Sequence, residues 1–356
     1  MKALAKFGRP SDFGTYRMID IPEPECGDND IILEVKAAAI CGADMKHYKV
    51  DNGSDEFGSV RGHEFAGEIV RVGKDWRPGQ RIVSDNTGHV CGRCPACERG
   101  DYLLCSEKVN LGLGYGYSGG FTKYCRIPGE ILAIHKRAIW EIPEGLEYEE
   151  AAVMDPICNA YKAIAQRSGF LPGENVVIFG TGPLGLFSVQ IAKIMGALNI
   201  VVVGLEEDVK VRFGVARQLG ATEVVNGSAE DVVQRCQEIC GGSDSIGLVV
   251  DCAGANICLK QAIEMVRCNG EIVRVGMGFK PVGFSINDIS MKAVSIIGHM
   301  AYDATSWRNA LQLLAAGRIQ VKPMITHRLG LSRWEEGFEA MANKEAIKVI
   351  LTYDFD

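Results

Sequence analysis

The sequence predicts an α/β fold in which a doubly wound parallel sheet follows a β domain. Three observations carry this. An apolar run over 176–179 meets a glycine-rich turn, Gly180-Thr181-Gly182-Pro183-Leu184-Gly185, and then an apolar helical stretch reaching about Met195. Strand, glycine turn and helix in that order open a βαβ unit. From about residue 156, strand-like runs alternate with helical ones, the pattern of a parallel sheet. Before that, short strands and frequent turns suggest a compact barrel-like β domain.

In the first domain the candidate strands are 31–37, 64–72 and 80–83, the last after a Pro78-Gly79 turn. Residues 92–118 are rich in Gly, Cys and charge, a long excursion that needs a staple or a function. In the second domain the candidate strands are 176–179, 200–203, 223–225, 248–251, 271–275 and 295–298. Helical segments lie between them, such as 211–219 and 229–240. The tail predicts helices over 306–316 and 334–341 and a last strand over 346–352.

At 356 residues the chain can hold two domains, each with its own core. Apolar residues are 47% and charged residues 23%, as in an ordinary globular enzyme. A net charge of -7 argues against nucleic acid and anionic membrane surfaces as partners. No apolar run reaches the roughly 18 residues that span a bilayer, and Met1–Lys6 is too short in apolar residues for a secretory signal. A cytoplasmic location is expected. The 13 cysteines then read as thiols and thiolate ligands, not disulfides.

The glycines of the turn have separate jobs. Gly180 makes the tight turn, Gly182 lets a pyrophosphate approach the backbone, and Gly185 lets helix and strand pack. The helix N-terminus, entered through Pro183 and Leu184, then offers free N–H groups to phosphates. A second constellation is Cys91, Cys94, Cys97 and Cys105. Four thiolates this close suit one closed, structural zinc. An iron–sulfur cluster is the rival; the bacterial run spaces its last cysteine three residues after the third and follows it with proline. Here the gap is seven and Ser106 follows, which favours zinc. A third set is dispersed: Cys41, His63-Glu64 and Asp155. A thiolate, an imidazole and a carboxylate can hold zinc with a position left for substrate. Read singly, each fits a bland role as well: a core histidine, or an Asp-Pro turn at Asp155-Pro156.

Taken together, these motifs resemble those of the zinc-containing medium-chain alcohol dehydrogenases. Cys41-Gly42-Ala43-Asp44, Gly62-His63-Glu64-Phe65-Ala66-Gly67, the four-cysteine lobe, Gly119-Gly120-Phe121 and the Gly180–Gly185 loop stand in that family's order. The likeness is closest to the polyol and threonine dehydrogenase branch, which has an acid directly after the zinc histidine. It implies a GroES-like β domain (1–156, zinc lobe about 90–106), a Rossmann domain (157–298), a return to the first domain (299–356), and a cleft between the domains. It also implies two zinc ions, one catalytic on Cys41, His63 and Glu64 with Asp155 at the fourth position, and one structural. In this branch Glu64 binds the metal directly or through water. Asp44 is expected to orient the site, or only to cap a turn. Val275 and Gly276 join the glycine loop as cofactor contacts. The implied reaction is hydride transfer between a secondary alcohol and NAD(P), in a homodimer or homotetramer that takes small-molecule alcohol or ketone substrates.

Two departures matter. The family's hydroxyl relay stands two residues after the first zinc cysteine, where this chain has Ala43; the relay histidine's place is Lys46, with His47 one later. Lys46 and His47 are therefore relay candidates. An NAD enzyme usually ends its second Rossmann strand in an acid. That place falls on Gly204, followed by Leu205-Glu206-Glu207-Asp208, with Lys210 and Arg212 further on. NAD is expected over NADP, with Glu206 or Glu207 on the ribose; the alternative is that these acids cap the next helix. Tyr48, Phe57, Tyr115, Tyr117 and Phe279 are candidate pocket aromatics. Two other readings stay open on the same fold: a zinc-free enone or quinone reductase, and a non-catalytic nucleotide-binding protein.

Overall fold

The computed structural model describes residues 1–8, 15–45, 48, 57–73, 76–108, 112–278 and 280–356. The chain forms two compact units. One comprises Met1–Asp155, Asp303–Leu311 and Ile325–Asp356; the other comprises Pro156–Tyr302 and Gln312–Met324. The tail from 299 thus does not return in one piece. Gln312–Met324 packs with the second unit, where the Gln190 side chain donates to the Gln320 carbonyl (3.0 Å) and accepts from its N–H (2.7 Å).

The strands in chain order are β1 (Lys2–Phe7), β2 (Tyr16–Asp20), β3 (Ile31–Ala39), β4 (Phe57–Val60), β5 (Glu64–Val72), β6 (Arg81–Ser84), β7 (Tyr124–Ile127), β8 (Ile139–Glu141), β9 (Asn175–Phe179), β10 (Ile200–Gly204), β11 (Glu223–Asn226), β12 (Ile246–Asp251), β13 (Glu271–Arg274), β14 (Ser295–Gly298), β15 (Ile325–Gly330) and β16 (Lys348–Thr352). In the first unit, one sheet runs β15-β16-β3-β5-β6-β8, with β7 also on β3, and a smaller one runs β2-β1-β4. Alternation along β3 and β5 turns Leu33, Val35, Phe65 and Ile69 into a shared core with Phe121, Phe338 and Val349. β16 pairs antiparallel with β3, setting Ile350 opposite Ala39. β3 pairs antiparallel with β5, setting Ala39 opposite Glu64. Those two registers carry the last strand and the His63-Glu64 step to the same end of β3, where Cys41 follows.

The second unit is a parallel sheet in the order β11-β10-β9-β12-β13-β14. Two chains of parallel strands run outward from β9, which leaves the switch point at its carboxyl end. β9, β10 and β12 are buried along their whole length, as expected for strands covered on both faces. The helix Pro183–Ile194 follows β9. Gly185 lets it pack there: a Cβ on that residue would lie 1.9 Å from the Gly180 carbonyl oxygen. Among the described residues, no helix is long and apolar enough to cross a membrane.

The fold class read from the sequence is the one observed, and the six Rossmann strands fall within one or two residues of their expected places. In the first unit β1, β2, β4, β7, β8 and β15 had no sequence-based assignment. We predict that Gly185→Ala overpacks this turn and costs about 1–3 kcal/mol. Scanning calorimetry of purified protein should show a lower Tm; an unchanged Tm would mean the helix can shift away from β9.

Candidate functional site

Three of the dispersed residues converge. One ligand atom each from Cys41, His63 and Glu64 lie within 4.8 Å of one another. Cys41 leaves β3, while His63 and Glu64 enter β5. Glu64 is 1% exposed and His63 3%. Asp155 stands outside that trio; its Oδ2 accepts from Asn86 Nδ2 at 3.0 Å, and the same amide donates to the His63 carbonyl at 3.4 Å. Asp44 makes the cap and lies close to the His63 ring without hydrogen-bonding it. Its Oδ2 accepts from the Cys41 N–H at 3.0 Å, capping the turn, and its Oδ1 lies 3.8 Å from His63 Nδ1.

Two basic residues that sequence reading passed over complete the centre. Lys348, on β16, is 1% exposed; its Nζ lies 2.5 Å from Glu64 Oε2 and donates to the Ile40 carbonyl at 3.2 Å. Burial pushes its pKa down, but the facing Glu64 carboxylate and Cys41 thiol outweigh burial and the net shift is upward. Arg61, also 1% exposed, lies 3.7 Å from Asp44 Oδ1 and 4.6 Å from the centre of the Tyr115 ring. Tyr115 in turn stacks on His63 with ring centres 4.8 Å apart, and its hydroxyl is 3.4 Å from His63 Nε2. A lone lysine in a strand and an arginine beside a glycine look like surface residues in a sequence, so no local signal marked either.

The donor set fits a metal. Burial pushes the Cys41 thiol well up, and the Glu64 carboxyl is raised by burial too. Glu64 Oε1, His63 Nδ1 and Asp44 Oδ1 are buried without a hydrogen-bond partner. Buried polar atoms left so are costly, and a cation shared by sulfur, nitrogen and oxygen removes that cost in the way zinc sites do.

The four-cysteine lobe also closes. Cys91, Cys94, Cys97 and Cys105 bring their sulfurs within 4.8 Å of one another, and all are free thiols. Backbone N–H groups of Cys97 and Ser106 pull Cys94 down to about 6, while burial pushes Cys97 up to about 12. Tyr102, between the third and fourth cysteines, packs its ring 4.2 Å from His135, which meets the buried Asp85 at 2.6 Å. The lobe is thereby fastened to the strand region that carries Asn86.

In the second unit the glycine loop sits at the switch point. Gly182 has φ -72°, caps the helix Pro183–Ile194, and has nothing within 4 Å of where a Cβ would stand. Pro183 is the first helical residue, a place suited to a residue without an N–H. Val275 and Gly276 both donate to the Asp251 carbonyl, at 3.0 and 2.7 Å. The Asp251 side chain accepts from Ala253 and Gly254 N–H and meets Arg274, so the loops after β12 and β13 are clasped together. Glu206, Glu207 and Asp208 form a short 3-10 turn and not the cap of the next helix, which begins at Arg212. Of the pocket aromatics, Tyr48 packs against Phe338 and Trp334, Phe57 against Phe7, and Tyr117 meets Glu130. Among the described ones, Tyr115 alone faces the metal-type site. Lys46, His47 and Phe279 lie outside the described residues.

A parallel dinucleotide-type sheet and a buried Cys-His-Glu set beside a four-cysteine lobe define a metal-dependent dehydrogenase. Comparison with known proteins agrees. Residues 27–137 match the alcohol dehydrogenase GroES-like domain and residues 183–316 match the zinc-binding dehydrogenase domain. An uncharacterized zinc-type alcohol dehydrogenase-like protein, YdjL of Escherichia coli (strain K12), is 71% identical over 100% of both chains. Sorbitol dehydrogenase of Halalkalibacterium halodurans is 32% identical over 99% of both. The crystal structure of 2R,3R-butanediol dehydrogenase from Bacillus subtilis superposes with a TM-score of 0.84 at 26% identity, covering 99% of each chain. The chain belongs to the zinc-type alcohol and polyol dehydrogenase family, whose members transfer a hydride between an alcohol and NAD(P).

Two outcomes follow from this geometry. In metal-free protein, Lys348→Met leaves the buried Glu64 without its lysine partner; breaking such a pair from one side costs about 3–5 kcal/mol, read as a lower denaturant midpoint at unchanged slope. Gly182→Val meets open space, so it should keep the wild-type Tm while losing dinucleotide affinity in a fluorescence titration. Unchanged affinity would mean that no phosphate approaches this glycine.

Proposed function

We propose that this enzyme oxidises a secondary hydroxyl of a polyol, sugar derivative or hydroxy acid with NAD, using a zinc held by Cys41, His63 and Glu64. The observation that supports it most is the trio itself, a half-buried thiol, a buried imidazole and a buried carboxylate whose ligand atoms lie within 4.8 Å of one another. Bound there, zinc supplies Lewis acidity to the substrate hydroxyl, and the nicotinamide takes the hydride. The protein's own part is positional. Asp44, balanced by Arg61, faces the His63 ring from its Nδ1 side. Lys348 keeps the charge of Glu64 in place. Asp155 stands one step further out, tied to Asn86. Cys91, Cys94, Cys97 and Cys105 hold a second, structural zinc. A homo-oligomer in the cytoplasm, dimer or tetramer, completes the reading.

Ala43 offers no hydroxyl to the substrate. Tyr115 brings one from the other side of His63, its ring fixed between the imidazole and the Arg61 guanidinium. Burial pushes its phenol well above the usual range, so it stays protonated and available as a hydrogen-bond donor. Lys46 and His47 remain the candidates for the proton relay, and Tyr115 would position the hydroxyl at the metal.

The reading is tested by an oxidation screen with NAD and NADP over polyols, sugar acids and threonine. Hydride transfer with at least one of them is expected; reduction of an enone or quinone by metal-free protein would overturn it. Fresh protein should carry two zinc ions per chain by elemental analysis. The ion at Cys41 should leave first on chelation, because a site with an open position and one thiolate is less closed than four thiolates. Tyr115→Phe should lower kcat/KM roughly three- to tenfold, the worth of one hydrogen bond, with zinc content unchanged.

A further inference from the structure

The end of β10 is where a dinucleotide fold normally places the acid that receives the adenosine ribose, and this chain has Gly204 there. The structure explains the glycine. A Cβ on Gly204 would stand 2.5 Å from Phe213 Cε1, 2.8 Å from Thr181 Cγ2 and 2.9 Å from Asp208 Oδ2. The volume that a strand-end side chain would fill is already taken, in part by another carboxylate. Asp208 reaches that point through the 3-10 turn Glu206–Asp208. Its Oδ2 accepts from the Leu205 N–H at 2.9 Å, and its Oδ1 lies 3.3 Å from Arg212 Nη1.

The three acids of this turn point different ways. Thr181 belongs to the glycine loop, so a carboxylate that shares its contact with Gly204 lies on the β9 side of β10. Glu206 turns to the opposite side. Its Oε2 accepts from Asn226 Nδ2, at the end of β11, at 2.6 Å. Glu207 is exposed. Asp208 is 7% exposed and is held at both oxygens, each of which keeps a further lone pair. A fixed carboxylate of this kind loses little entropy when a hydroxyl binds it.

We propose that Asp208, and not Glu206 or Glu207, is the acid that receives the 2′-hydroxyl of the adenosine ribose, with Arg212 as the residue that holds it in place. The insertion of a turn has moved the acid along the chain while returning its carboxylate to the strand end. This rests on the reading of the chain as an NAD-dependent dehydrogenase, and it assigns the residue that sets that preference. A 2′-phosphate brought to the same point would meet a carboxylate with no room beside it.

The test is equilibrium binding by calorimetry, with NAD and 2′-deoxy-NAD as probes, on zinc-loaded protein. Asp208→Asn should weaken NAD about tenfold or more, the effect of losing a charge-assisted hydrogen bond, and change 2′-deoxy-NAD by no more than about twofold. Glu206→Ala with Glu207→Ala should leave the ratio of the two affinities as in the wild type. Asp208→Glu keeps the charge but displaces the carboxylate by one methylene and should give the same selective loss; it serves where Asp208→Asn does not fold. Equal loss of both probes in Asp208→Asn would make Asp208 a cap of the turn only and overturn the proposal. A selective loss in the Glu206 and Glu207 variant would overturn it too. Failure of the NAD reading shows elsewhere, as a wild-type protein that binds neither probe.

Discussion

One buried ion pair organises the first unit. Lys348 and Glu64 face each other at 2.5 Å with almost no solvent contact. Charges so placed are tolerable only where each has its partner. The pair exists because β16 and β5 both lie against β3, in registers that bring Lys348 and Glu64 to the end of β3 from which Cys41 departs. A one-residue slip in either pairing would turn one of the two side chains to the other face of the sheet. The metal-type site is thus a consequence of strand register, and the strands are held in that register partly by the cost of separating the charges.

The second unit is organised differently. Its three central strands, β9, β10 and β12, are buried along their whole length and carry one charged residue, Asp251 at the end of β12. Function collects at the carboxyl ends, where the glycine turn and the loops clasped by Asp251 and Arg274 meet. Within the turn the glycines differ in kind. Gly185 is required by packing, because a Cβ there collides with backbone. No described residue comes within 4 Å of where a Cβ on Gly182 would stand, which is what a position kept clear for a ligand looks like.

Much of this was legible beforehand, for physical reasons. Parallel strands covered on both faces read as unbroken apolar runs, so β9, β10 and β12 stood out and fixed the alternation around them, and four cysteines in one short stretch admit few explanations. β1 was missed because its lysines look like solvent residues, yet Lys6 is 1% exposed. Lys348 was missed for the same reason. A sequence shows that a residue is charged, not that a partner waits for it three hundred residues away. Tyr48 and Tyr115 looked alike as candidate aromatics, and only packing separates the one against Phe338 from the one against His63. The acids at 206–208 were recognised as a group. Which of them faces the glycine loop depends on a 3-10 turn that has no clear signature in the residues.

The distance in sequence between the partners at the metal-type site has a consequence for synthesis. Cys41, His63 and Glu64 leave the ribosome well before β16, which completes their surroundings. Until Lys348 emerges, Glu64 has no buried cation to face and β3 has an open edge on that side. The ligand-bearing residues of the chain therefore come first and the centre they form comes last. A growing chain spends nearly all of its time on the ribosome with its thiol and imidazole present but not yet enclosed, so the order of translation delays the finished centre until the sheet around it can close.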